Sequence, residues 1–452
     1  KNVAIGTSTL SATNPATAVD MYNTAVGFSA GNAITTGTKN VIVGGLALDA
    51  ADTGQENTAI GHQALTSDTK GNRNVAVGAG TLVTQNFTSA TSVYNVAVGY
   101  SAGNSVTTGV RNTLIGGLAG DAITTGQENT ALGYFALSSD TLGKKSVAIG
   151  AGALGLQNFT STTDAYNTAV GFDAGLSVTT GTENTLIGGL AGDAMTTGSY
   201  NTAVGKDSSG KVTTGSHNVS VGRMALRETT TGSNNTALGR SALEANTTSS
   251  NNTAVGYASL SANTTASNNT AVGYHSSRDN TTGSTNASFG VNSLRNNTTG
   301  SSNVAIGEAA LLANTSASNN TAIGQVSLFD NTTGAQNTAV GKSALENNTT
   351  ASYNTAVGYQ SLLANTTGSL NVAVGATALD ANTTGSQNVA VGYTALGAHT
   401  TGNYNIAVGT SALQTNTTGA SNVAVGDAAL HRNTTAPNNT AVGYRASHDN
   451  TT

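Results

Sequence analysis

The stretch NNTAVGYASLSANTTAS, Asn251 to Ser267, is followed at once by NNTAVGYHSSRDNTTGS, and edited copies of the same phrase fill the chain. The glycine of the AVG triplet sets the register. It stands at Gly6, Gly27, Gly44, Gly61, Gly78, Gly99, Gly116, Gly133, Gly150, Gly171, Gly188, Gly205 and Gly222, then every 17 residues to Gly443. That makes 26 copies, separated by 22 intervals of 17 residues and three of 21. The long intervals end at Gly27, Gly99 and Gly171, which are evenly spaced. Two regions follow: 1–221, built of three 72-residue blocks with 21-residue long coils, and 222–452, a continuous array of uniform 17-residue coils.

Columns counted from that glycine carry the fold. The residue before it is Val, Ile, Leu or Phe in all 26 copies, and the one before that is Ala in 21, with Ile42, Leu114, Leu186, Ser220 and Ser288 as exceptions. Asn stands four before it in every copy but one, where Ser146 takes the place. A short uncharged run rich in β-branched residues, without helical periodicity, predicts a strand, and apolar character on both faces predicts one covered on both sides. Four residues after the glycine, Leu occurs in 18 copies. Six of the other eight carry an aliphatic residue three positions later instead: Ile34, Val106, Ile123, Val178, Met195 and Val212. A packed core requires such volume conservation. This second segment reads as an outer, half-solvated strand, and NTTG as the return turn, with Asn and Gly suited to positive φ.

Two short strands and two turns in each repeat unit make one coil of a parallel β-solenoid. Twenty-six coils stacked at about 4.8 Å would extend about 120 Å, with the Asn column forming an amide ladder. If Val packs with Leu inside the coil, the alternating Ala and Gly face outward as a flat apolar strip of roughly 1,200 Å², more than a soluble monomer ordinarily exposes. Packing of these strips among three chains is the simplest expectation.

Composition excludes several classes. Charged residues are 9% of the chain, Cys and Trp are absent, and the net charge is −5 without a basic run, so no footprint for nucleic acid exists. No apolar stretch reaches the roughly 20 residues of a membrane span, and no signal peptide is seen. The chain begins and stops inside the motif, as expected of a section of a longer protein, since repeat arrays carry atypical caps.

NVAIGEAAL (Asn303 to Leu311), NVAVGATAL and NTAVGYQSL resemble the repeats of YadA-like trimeric autotransporter adhesin heads, and are similar to Asn-Thr-rich arrays of phage tail fibres and large bacterial surface proteins. The resemblance covers the whole chain. It implies a left-handed parallel β-roll, homotrimeric, displayed outside a cell or on a virion. That family's usual repeat is shorter than the one here.

The six His residues share no spacing and read as single surface groups. No catalytic set, phosphate loop or metal site stands out, and repetition builds no singular pocket, so no enzyme and no cofactor are expected. All 13 Tyr fall in two columns. Among those directly after the glycine, Tyr257, Tyr274, Tyr359 and Tyr393 are candidate contacts to glycans or matrix polymers, although aromatics also suit strand ends beside turns. Asn-Thr-Thr/Ser in the return turn gives glycosylation sequons by pattern, Asn246, Asn263, Asn280 and Asn297 among them, for which a plain turn role suffices. The expected function is an extracellular adhesive or receptor-binding fibre segment, a rigid multivalent rod. A purely structural filament subunit and an ice-binding β-solenoid are the alternatives. Partners would be further copies of the chain and surface glycans or matrix, with no nucleic acid and no membrane insertion by this segment.

Overall fold

The computed structural model describes residues 1–451. They form an all-β chain without a helix among the described residues, a parallel β-solenoid of about 26 turns in which stacked positions differ by 17 in sequence, or by 21 across the three long coils. It comprises two compact units, Lys1–Ser233 and Asn234–Thr452. Within each, one three-residue strand per coil pairs with its neighbours column on column. In the first unit Thr113↔Thr130, Leu114↔Ala131 and Ile115↔Leu132 are partners. In the second, Thr253↔Thr270, Ala254↔Ala271 and Val255↔Val272 are.

Among the described residues no second strand follows the register glycine where one is expected. The six residues after the register glycine form a tight turn in which the second and fourth are left-handed: Ala258 at φ 51° and Leu260 at φ 50°, for example. Left-handed backbone costs an L-residue about 1–2 kcal/mol. Full burial of the leucine, worth about 1.5–3 kcal/mol, offsets it. The twist also aims successive amides at opposite neighbours: Ala258 N–H donates back to the Arg240 carbonyl at 3.0 Å, and Leu260 N–H donates forward to Ser276 at 3.1 Å. Each such coil is thus bonded up and down through its turn as well as its strand. Positive φ falls at the register glycine, at these turn residues and at the residue before the Asn column, such as Asn268 at 64°, rather than in the NTTG return.

The inward face is also the reverse of the expected one. In Thr253–Val255 the central Ala254 is buried while Thr253 and Val255 are only half-buried, and this pattern recurs along both units. Core space decides the matter. Leucines of the turn already fill the narrow coil, so only a methyl fits opposite them, and the branched residues of the strand face outward.

The exceptions in the alanine column obey the same volume rule. Where Ile42, Leu114 or Leu186 replaces Ala, the facing turn carries Gly instead of Leu. A Cβ on Gly31 would lie 2.8 Å from Ile42 Cδ1, and one on Gly120 would lie 2.7 Å from Leu114 Cδ2. Where Ser220 or Ser288 replaces Ala, the facing turn carries serine, and the two hydroxyls bond: Ser209–Ser220 at 2.7 Å and Ser277–Ser288 at 2.8 Å. Buried polar groups are tolerated because they satisfy each other.

Beside two of the long coils the return segment pairs locally, Gly71–Asn72 with Thr91–Ser92 and Gly143–Lys144 with Thr163–Asp164. Buried Asp68 and Asp140 anchor these places, accepting from Gln85 and Gln157 at 2.7 Å each and from the Gly71 and Gly143 amides at 3.0 Å. Burial pushes both carboxyls above the usual range.

Candidate binding surface

Two asparagine ladders close the coils, one running through both units and the other confined to the second. In the first, Asn320 Oδ1 accepts from the backbone N–H of Asn337 at 3.0 Å and from its Nδ2 at 3.2 Å, while Asn337 Nδ2 also donates to the Ala351 carbonyl at 2.9 Å. The second consists of the return-turn asparagines. Asn280 Nδ2 donates to Asn263 Oδ1 at 3.0 Å and to the Gly283 carbonyl at 2.9 Å, and Asn297 Nδ2 to Asn280 Oδ1 at 2.7 Å. Asn246 donates to Ser249 O at 3.2 Å, and Asn263 donates to Asn246 Oδ1 at 3.2 Å. Asn246, Asn263, Asn280 and Asn297 are all fully buried. On the folded chain each of these amide nitrogens is committed to acceptors inside the coil, which gives the four asparagines a structural role in coil closure.

His399 corrects the expectation of surface histidines, because it is fully buried in this second ladder. Its Nε2 lies 2.7 Å from the Gly402 carbonyl and its Nδ1 lies 3.3 Å from Asn416 Nδ2. A carbonyl only accepts and an amide nitrogen only donates, so the ring is neutral with its proton on Nε2. Burial lowers its pKa, partly opposed by its bonds to Gly402 and Asn416. An unfolded histidine titrates near pH 6.5. As pH falls below that value the unfolded chain takes up a proton that the folded one refuses. Stability is therefore full above about pH 6.5 and declines as pH falls through it. His399→Asn restores the ladder's usual residue, so its unfolding midpoint should fall less than the parent's between pH 7 and pH 5. An equal fall of the urea midpoint in parent and variant between the two pH values would contradict this.

The four tyrosines divide into two cases. Tyr257 and Tyr274, on adjacent coils and half-exposed, stack with centroids 5.5 Å apart at 14°, and the Arg240 guanidinium lies 5.7 Å over Tyr257. His275 packs at 3.9 Å from Tyr274. Tyr359 and Tyr393 are more exposed, but Ala376 stands in the coil between them, so they do not form a stack. Among the described residues no cluster of three His, Cys, Asp or Glu is placed to hold a metal.

The outward strand face consists of the branched residues expected inside, not of the Ala and Gly expected outside. The outward face of each strand presents Val, Ile, Leu or Phe beside Thr, Val, Ile or Ala, without charge, in every one of the 13 coils of the second unit. Leu238, Phe289, Ile306 and Val374 are 37–46% exposed. At about 10 Å by 4.8 Å per coil this face covers roughly 600 Å² in that unit.

No protein-family profile matches the chain, and no curated protein sequence matches it.

Proposed function

We propose that the chain is a segment of an extracellular fibre, at a cell surface or on a virion, in which three copies pack through their outward strand faces and present their turns as a repeated adhesive surface. The observation that carries this reading is the uncharged aliphatic face. The roughly 600 Å² of this face in the second unit alone is at the upper end of what a soluble monomer exposes in one patch and approaches the roughly 800 Å² that a standard interface takes from each partner. A second copy of this chain offers the same face at the same rung spacing, so its ridges match over many coils. Repetition then multiplies weak contacts at the turns into avidity.

The ice-binding alternative is less well supported. The first threonine hydroxyl of most return pairs donates to the next coil, as Thr281 Oγ1 does to Thr298 O at 2.9 Å, and so is not a free donor to an ice surface.

The variant Val374→Lys/Val391→Lys sets ammonium groups against any copy packed there, while a half-exposed site tolerates lysine in the single chain. Sedimentation equilibrium should give a trimer for the parent and a folded monomer for the variant. A monomeric parent removes the assembly, and open-ended polymers would favour a filament subunit. Attachment to glycan-bearing surfaces should fall in Tyr257→Ala/Tyr274→Ala, and unchanged attachment with an intact fold removes the role of that stack.

A further inference from the structure

In the first unit the coil of Gly150 has a notch in its turn. Ala151, Gly152 and Gly155 stand where other coils carry larger side chains. The coil before it presents Tyr134 and Phe135, edge to face at 4.2 Å, and the coil after it presents Phe172, Asp173 and Leu176. Together they line an open cavity of about 460 Å³, in the size range of small-ligand sites. Tyr134 and Phe172 remain 59% and 62% exposed although three aromatic rings share one opening.

The carboxylate of Asp173 sits over the floor of the notch, where a Cβ on Gly152 would collide with its Oδ1. It accepts no hydrogen bond and pairs with no cation among the described residues. Asp193, one coil further, is close enough for the two carboxylates to repel, and the nearby Lys206 is committed to Asp207 at 2.8 Å. The mouth is therefore negative while its walls are aromatic. The array supplies its own comparison one block earlier. There His62 and Gln63 replace the two rings, Ser101 replaces the aspartate, and Asn104 Nδ2 closes the notch by donating to the Gly80 carbonyl at 3.1 Å. The second block has lost that plug and gained rings and a free charge at the same place.

We propose that this cleft binds a small organic cation of the alkylammonium class, with methyl groups against the faces of Tyr134, Phe135 and Phe172 and its charge neutralised by Asp173. Ring faces carry negative potential and attract a cation within about 6 Å, most strongly for ions with weakly held hydration. A polyhydroxylated ligand fits less well, because the walls offer its hydroxyls few partners.

The test is calorimetric titration of the full chain with choline chloride, beside 3,3-dimethylbutan-1-ol, its neutral isostere. Choline should saturate one site per chain, and the isostere should bind at least about tenfold more weakly, as loss of the cation–π and carboxylate attractions requires. Asp173→Ser installs the residue of the equivalent coil and should weaken choline at least about tenfold with unchanged circular dichroism; Phe172→Ala should act in the same direction. Capture by phosphatidylcholine but not phosphatidylglycerol vesicles would assign the cation to a lipid headgroup. Saturation by choline without vesicle capture would assign it to a soluble ligand. Both uphold the class. Absence of saturable choline binding, equal affinity for the neutral isostere, or an unaffected Asp173→Ser variant overturns the proposal.

Discussion

Gly188→Ala is expected to open the solenoid locally while Gly189→Ala leaves it intact, although the two glycines are neighbours. Gly188 sits at φ +131°, where a Cβ would lie 2.7 Å from both the carbonyl carbon and oxygen of Gly205 in the next coil. Backbone strain of that kind costs about 1–3 kcal/mol, and overpacking adds a similar amount. Relief requires the Gly188 and Gly205 coils to part, which lengthens the bond from Gly205 N–H to Ile187 O, now 2.7 Å. Gly189 has nothing within 4 Å of its would-be Cβ, and other coils carry tyrosine or alanine there. Because a repeat array loses structure coil by coil rather than all at once, the readout is amide exchange over positions 185–204. Protection should collapse there in Gly188→Ala and match the parent in Gly189→Ala. All 26 glycines of this column share that positive φ, and a Cβ on nearly all of them would meet the glycine backbone of the next coil in the same way.

Asn337→Asp should be more damaging than Asn337→Ala, and only the former should be repaired by acid. Alanine leaves the buried Asn354 N–H without the Oδ1 that it meets at 3.0 Å, costing about 1–3 kcal/mol. Aspartate keeps that acceptor but turns an ionised oxygen towards the Ala351 carbonyl, where the amide now donates at 2.9 Å. A buried charge facing a carbonyl costs several kcal/mol. The folded pKa of that carboxyl must then lie above its unfolded value near 3.9. Stability is present below that value, where a protonated carboxyl can donate to the carbonyl, and is lost as pH rises through the folded pKa. Urea unfolding at pH 4 and pH 7 should bring the aspartate variant close to the alanine variant at the lower pH and well below it at the higher. The reverse order at pH 7 would mean that the ladder carries little of the stability.

Much of the architecture was legible in the residues. The 17-residue period, the strand before each glycine, the buried leucine and the Asn ladder follow from column composition, because stacking in register forces each column to meet one environment. Which way the strand faces was not legible. Ala and Val are both apolar, and period-two alternation separates two faces without saying which is inside. The facing partner decides it: Gly31 with Ile42 and Ser209 with Ser220 change together, and that pairing of columns was in the sequence as a signal of contact. The turn misled because alternating apolar and polar residues read as an outer strand, whereas left-handed backbone at Leu260 runs against leucine's local preference and is imposed by burial. His399 occupies the return-turn Asn column, whose burial a turn motif does not reveal. The cleft at Gly152 was not legible, because it arises from three coils departing from their columns at once.

The central claim is that each 17-residue unit is one rung. The chain has no cysteine, so pairs introduced in the column after the register glycine carry spin labels at chosen sites only. Glu308 paired in turn with Tyr393, Thr410 and Asp427, all in the second unit, places the labels five, six and seven coils apart. With labelled chains diluted into unlabelled ones, pulsed dipolar spectroscopy should give separations of about 24, about 29 and about 34 Å, rising by about 4.8 Å for each added unit. Separations that fail to rise in equal steps, or that broaden as in a flexible chain, would contradict it.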